Sequence, residues 1–427
     1  MKSLLNRFTK SEFLKNVFTL VSATGIAQAI SLAIYPVLTR IYTPEEHGLF
    51  ALYLSIVTIA AIISTGKYEL AVMIPRRDRD GAGLTLLSIF LSLGFSIVLL
   101  VLIFIFREAI PGWLGNKHIH KWLYFIPIST FFVGVFQSFS FWMNRKSAYK
   151  AIAGANLSQS VVNSAVKLSA SNVMAHGGGL ITGAIAGQFA GAVIYGWRIV
   201  KEGLSIFRSV TLKDLGLLAR EYRFFPRFSM MHNLINNFSS SLPVFVFSSY
   251  FSAEIVGFFG LGFMLINRPM NLLSTSFAKV FSQRTIQRHN NGQLVFADIK
   301  KFVIRMAGIS AIPFLIVICC APWLVTFIFG DEWHESSVYM RIFTPWLFMV
   351  FLSAPLSFVA DMLSQQRKGM LIEVVKFMVR IIALVIGVIA RDVYLALVLF
   401  SGFSFLVVTY NLYWYLGLAR KADIGKT

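Results

Sequence analysis

Long apolar runs separated by short polar loops dominate this chain. Crossing a bilayer as a helix takes about 20 apolar residues. Runs of that kind occur near 15–38, 48–66, 82–106, 121–142, 151–172, 178–197, 228–250, 254–278, 302–329, 338–360, 369–390 and 393–416. Outer-membrane barrels show short alternating segments instead. The pattern therefore predicts an all-α, polytopic membrane protein with about twelve transmembrane helices. Ahead of the first run, Leu4, Leu5, Phe8 and Phe13 interleave with Lys2, Arg7, Lys10 and Lys15. That alternation predicts an interfacial amphipathic segment over 1–14. No small-residue cleavage site follows the first run, which reads as a retained span.

Composition narrows the class further. Of the 427 residues, 56% are hydrophobic and 14% charged, with a mean hydropathy of +0.70. A soluble domain is about 25% charged, and this much apolar surface does not fit in one water-soluble core. The net charge of +20 is explained by topology. Lys and Arg gather on the cytoplasmic side of short loops. Alternate loops together with the two termini carry 27 of the 39 basic residues, and the opposite loops carry 5. This places both termini of the multi-pass protein in the cytoplasm and leaves no need for nucleic acid. The basic stretch 198–227 divides the chain into an N-lobe (15–197) and a C-lobe (228–416), with a cytoplasmic tail over 417–427. The two cysteines, Cys319 and Cys320, are adjacent in an apolar run and form no disulfide framework.

The halves echo one another. Residues 42–52 (YTPEEHGLFAL) align with 251–261 (FSAEIVGFFGL) at a constant offset of 209, each between the first and second span of its half. A weaker echo joins 127–146 with 345–368. Six spans per half give both lobes the same orientation, the parallel-repeat arrangement of transporters.

Polar groups in spans usually face a bundle interior or a hydrated cavity. The fifth run carries Asn156, Gln159, Asn163 and Lys167 at spacings that share one helical face. The first run of each half is polar too, with Ser22, Thr24, Gln28 and Ser31 early and His232, Asn233, Asn236, Asn237 and Ser240 later. Glu373, Lys376 and Arg380 align in the eleventh run, and Arg268 precedes Pro269 in the eighth. Helix-to-helix hydrogen bonding explains some of these groups. The deep cations Lys167, Arg268, Lys376 and Arg380 nevertheless outnumber the one comparably deep acid, Glu373. That imbalance suits a phosphate or carboxylate ligand, which Arg grips bidentately. The four cations are the candidate ligands of such an anion. Gln28, Asn156, Gln159, Asn163, Asn233 and Asn237 are candidates for cavity lining, and Arg40, Glu69 and Glu373 for gating or coupling. Glycines 179, 183, 187 and 191 recur every fourth residue, a stripe for close helix packing. Asp331, Glu332, His334 and Glu335 read as a solvated loop rather than a metal site. No catalytic constellation has supporting context, and no cofactor is expected.

Four segments in order resemble a known family. They are 38–50 (LTRIYTPEEHGLF), 66–75 (GKYELAVMIP), 225–229 (FPRFS) and 329–333 (FGDEW). The chain is similar to bacterial polysaccharide biosynthesis flippases, of the polysaccharide transporter branch of the multidrug/oligosaccharidyl-lipid/polysaccharide exporter superfamily. His47 departs from the family's more usual aromatic. The resemblance implies two six-helix lobes, alternating access, and a polyprenyl-diphosphate oligosaccharide (O-antigen, capsule or lipopolysaccharide precursor) flipped to the periplasmic leaflet. On that resemblance the anion held by the four deep cations would be the diphosphate, and the six amide side chains would bind sugar. Its partners would be that substrate, the bilayer, and a polymerase or other glycan-assembly membrane proteins. Two alternatives are an ion-coupled multidrug-type exporter, which needs deep carboxylates for cationic drugs, and a membrane glycan polymerase or ligase, which needs a sizeable periplasmic loop or acidic catalytic motif.

Overall fold

A computed structural model describes residues 25–424 apart from 172, 175 and 364, and apart from the side chains of 202, 276, 279, 280 and 290. The expected amphipathic segment 1–14, Ser22 and Thr24 lie outside the described residues. Twelve principal helices follow in order: α1 (Gly25–Ile41), α2 (Pro44–Ser64), α3 (Asp78–Phe106), α4 (Phe125–Arg145), α5 (Tyr149–Ser169), α6 (Gly178–Glu202), α7 (Met230–Tyr250), α8 (Ala253–Asn290), α9 (Phe296–Phe329), α10 (His334–Ser353), α11 (Gln366–Ala390) and α12 (Val393–Ile424). The all-α, polytopic expectation holds. The chain separates into two compact units, residues 1–238 and 239–427.

The repeated segments start the second helix of each half. Thr43 is the N-cap of α2; its hydroxyl accepts from the Glu46 N–H while Glu46 reaches back to the Thr43 N–H, a capping box followed by Pro44 in the first turn. At the offset position, Ser252 is the N-cap of α8 and accepts from the Ile255 N–H. Both satisfy donors that a helix start leaves open.

Hydropathy separates the helices by position in the repeat. Among the described residues, eight are long and apolar enough to cross a membrane. Of the rest, α5, α7 and α11 carry polar faces, and α1 is described from Gly25 onward. The third helix of each half is the opposite extreme. Only 17% of the most apolar stretch of α3 is buried, and the same share of α9. Phe104 and Ile105 on α3, with Ile309 and Phe327 on α9, are largely exposed, as suits helices that face lipid.

Within the first unit, the glycine stripe brings α6 against α5. A Cβ on Gly187 would lie 2.7 Å from the Gln159 carbonyl oxygen, and one on Gly183 2.8 Å from that of Asn163. The predicted packing role is therefore observed. The segment 198–227 contains a docked helix, Leu212–Glu221. Its Leu215 and Leu218 join Tyr68, Ala71, Val72 and Leu84 in one apolar cluster. The Tyr68 hydroxyl donates to the Ala219 carbonyl at 2.9 Å, and Arg79 bonds Asp214 at 2.6 Å.

In the second unit, aromatic rings from α8, α10 and α12 form the core. Phe263 stacks on Trp346, and Trp346 meets Phe400 edge to face. Asp423, near the end of α12, accepts from the Val295 and Phe296 N–H groups at the start of α9.

Candidate functional site

Arg380 is the most enclosed of the four deep cations. It is 3% exposed. Its Nε donates to the Ser404 hydroxyl on α12 and its Nη1 to the Ser239 hydroxyl on α7, both at 2.9 Å. The guanidinium also lies 4.9 Å from the ring centre of Trp346 and 4.8 Å from that of Phe400. Cation–π attraction strengthens when the cation is desolvated, so four side chains from three neighbouring helices replace the water Arg380 has lost. One turn earlier, Lys376 and Glu373 form an ion pair at 2.5 Å along α11, the i,i+3 arrangement that neutralises both.

Arg268 stands differently. It is half-buried on α8 and has no hydrogen-bond or ion-pair partner among the described residues. Pro269, the next residue, lies inside the helix and removes the N–H that would otherwise bond the Leu265 carbonyl.

In the first unit, Lys167 is buried with its ammonium 4.5 Å over the Phe50 ring. The Lys167 carbonyl accepts from the Tyr42 hydroxyl at 2.6 Å, which ties α5 to the end of α1. The Ser31 and Ser160 hydroxyls bond at 2.9 Å, and Ser160 also donates to the Ala27 carbonyl at 2.7 Å. Gln28, Asn156, Gln159 and Asn163 are half-buried, and the Asn163 Oδ1 is buried with no hydrogen-bond partner among the described residues. On α7, Asn233 donates to the Ser229 carbonyl at 2.8 Å and Asn237 to the Asn233 carbonyl at 2.9 Å. Those amide N–H groups are held by their own helix.

Of the gating candidates, Arg40 is exposed in the last turn of α1. Glu69 is fully buried in a short 3₁₀ segment after α2 and pairs with Lys67 at 3.1 Å. The structure thus brings Glu373, Lys376 and Arg380 together on α11, and Asn156, Gln159, Asn163 and Lys167 together on α5.

One network was not anticipated from the sequence. Arg145 Nη1 donates to the Val72 and Pro75 carbonyls at 2.9 and 2.8 Å, and Nε to Asp78 at 3.0 Å. Lys146 pairs with Asp78 at 2.8 Å. The signal was present, since the weaker echo between halves ends on Arg145-Lys146 and Arg367-Lys368. Counting these residues only as topological charge concealed it.

Twelve principal helices among the described residues make this a multi-pass membrane protein, and its likeness to solved structures gives it the fold of MOP-superfamily transporters. The chain belongs to the polysaccharide biosynthesis protein family, which it matches over residues 37–338. No curated protein matches it. Among solved structures, it is similar to the lipid II flippase MurJ in an inward closed conformation, at 12% identity and a TM-score of 0.69, over 94% of this chain and 90% of that one. A MOP-superfamily transporter from Pyrococcus furiosus, described as having a binding pocket of reverse polarity, aligns at 12% identity and a TM-score of 0.65, over 96% of each chain. An inward-facing multidrug resistance transporter of the MATE family aligns at 14% identity and a TM-score of 0.63, over 92% of this chain and 96% of that one.

Proposed function

We propose that this protein is a flippase that moves a polyprenyl-diphosphate-linked oligosaccharide, a precursor of O-antigen, capsule or a related glycan, from the cytoplasmic to the periplasmic leaflet by alternating access. Arg268 carries the reading. A cation within a span costs free energy unless something offsets it, and this one has no partner among the described residues. A diphosphate would offset that cost through charge-assisted, bidentate hydrogen bonds. Lys167, Lys376 and Arg380 add positive field near their own helices while already held by Phe50, Glu373 and the Ser239–Ser404 pair. Gln28, Asn156, Gln159 and Asn163 supply amide oxygens and N–H groups, and Asn233 and Asn237 amide oxygens, that suit sugar hydroxyls. Glu69 and Glu373 are the acids through which an ion gradient would act, with Arg40 at the outer end of α1.

Membership of the polysaccharide biosynthesis family and the flippase among the similar structures support this reading. A multidrug exporter is the alternative in the same fold, but its cationic substrates would want free deep carboxylates, and Glu373 is engaged by Lys376. The work is transport rather than catalysis. It belongs in the inner membrane, with both termini cytoplasmic and with glycan-assembly membrane proteins as partners. The test is transbilayer movement of a polyprenyl-diphosphate oligosaccharide in liposomes containing the purified protein, read by a glycan probe confined to the outside. Glycan-dependent acceleration is expected. Equal movement in protein-free liposomes, across a panel of glycans and with proton or sodium gradients imposed, overturns the reading.

A further inference from the structure

Away from the polar face of α5, a half-open cavity of about 410 Å³ lies where α5 begins and α6 ends. Ser147, Tyr149, Lys150, Gly154, Trp197 and Arg198 line it. Lys201 stands beside it, its ammonium 5.1 Å from the centre of the Trp197 ring. No carboxylate lines it among the described residues, and Lys150, Arg198 and Lys201 make its lining and rim basic. It sits on the side whose loops hold the basic excess.

The surface leading away from this cavity is apolar and exposed. On α6, Phe189, Val193 and Trp197 recur every fourth residue and are 50%, 49% and 60% exposed. On α5, Gly154, Val161 and Ala165 are exposed at spacings of seven and four. This stripe is distinct from the polar face of α5. Gly154 lies about 200° around the helix from Asn156. Exposed apolar residues on a membrane helix face acyl chains, and basic pockets at the cytoplasmic ends of such helices take anionic headgroups.

We propose that this cavity is a binding site for an anionic phospholipid: Lys150 and Arg198 hold the phosphate, Ser147 and the Tyr149 hydroxyl are within the same lining, and the acyl chains lie along Val161, Phe189 and Val193. The alternative is that the two cations only snorkel into bulk headgroups, with no site. The occupant is a resident lipid rather than the transported one, because the cavity opens beside the lipid-facing stripe and not beside Asn156, Gln159 and Asn163.

The test uses the full-length protein in nanodiscs of phosphatidylcholine, titrated with phosphatidylglycerol or cardiolipin and read by native mass spectrometry and by thermal unfolding. Saturable retention of an anionic lipid is expected. The double variant Lys150→Gln/Arg198→Gln should bind it about 30-fold more weakly, the factor expected for two interfacial cations. Lys150→Arg should bind as the wild type does, and so should Lys117→Gln, a basic residue outside the cavity. Unfolding in pure phosphatidylcholine checks that the double variant is folded. If it melts there below the wild type, the single variant Lys150→Gln takes its place, with about a fivefold loss expected. Equal retention by wild type and variant overturns the site, as does equal retention of phosphatidylcholine. Binding of inorganic phosphate with no preference for a lipid overturns the lipid assignment. So does displacement of the phospholipid by polyprenyl diphosphate at lower concentration, which would make the cavity part of the substrate's path.

Discussion

The Nη1 of Arg380 donates to the hydroxyl of Ser239, 141 positions earlier in the chain, at 2.9 Å. With Ser404, Trp346 and Phe400, this contact makes the guanidinium part of the core of the second unit. Arg380→Ala should therefore destabilise that unit by about 2–4 kcal/mol, from lost packing and two stranded hydroxyls. Thermal unfolding in detergent measures it. Arg380→Lys should recover little, because one ammonium cannot reproduce the planar fork between two serines and two rings. An unchanged melting temperature in Arg380→Ala would show that these contacts hold nothing.

Arg268 provides the contrast. Its replacement by Gln removes no hydrogen bond or ion pair among the described residues, so folding and membrane insertion should be largely unaffected. Transport of a diphosphate-linked substrate should fall roughly tenfold or more, the worth of a charge-assisted hydrogen bond. Flipping in liposomes, normalised to folded protein, separates the two effects. Wild-type flipping by Arg268→Gln would remove this residue from the substrate's path.

The glycine stripe makes a steric prediction. Gly187→Leu should force α6 from α5 and cost about 1–3 kcal/mol or prevent folding, since even its Cβ would fall 2.7 Å from a carbonyl oxygen. Gly196→Ala, on the same helix but with nothing within 4 Å of the added carbon, should be tolerated. Yields of monodisperse protein from the two variants compare them directly.

The linker helix carries a pH dependence. Backbone and side-chain hydrogen bonds from Thr211, and then the Arg79 guanidinium, hold the Asp214 carboxyl below the usual carboxylate range. A lowered folded value means that the stabilisation is present at neutral pH and is lost as pH falls through that value. The protection of the first amides of Leu212–Glu221 against hydrogen exchange, relative to their intrinsic rates, should fall on acidification. In Asp214→Asn it should already be low at pH 7 and respond little to acid. Acid-insensitive protection in the wild type would sink the argument.

Twelve helices could be read from hydropathy because each apolar run is contiguous. Their ends could not. The eighth run was expected to stop at 278, yet α8 continues to Asn290, and α12 extends past 416 to Ile424. The α12 extension is held by contacts such as Asp423 with the start of α9, which no window of hydropathy records. The candidate residues were legible as faces, since period and polarity are local. Their present partners were not. Ser239, Trp346 and Ser404 reach Arg380 from three different helices, and nothing in the spacing of α11 announces them. Phe50 over Lys167 and Val72 under Arg145 were hidden for the same reason.

The sparse burial of α3 and α9 ties the protein to its host membrane. At 1.5 Å per residue, their apolar runs 82–106 and 302–329 extend about 37 and 42 Å, whereas the hydrocarbon layer is about 30 Å thick. Because few protein neighbours cover their most apolar stretches, the bilayer there settles how these two helices accommodate the mismatch. Lipid thickness then acts as a mechanical setting on the third helix of each half, and a change in acyl-chain length alters the protein without touching a single residue.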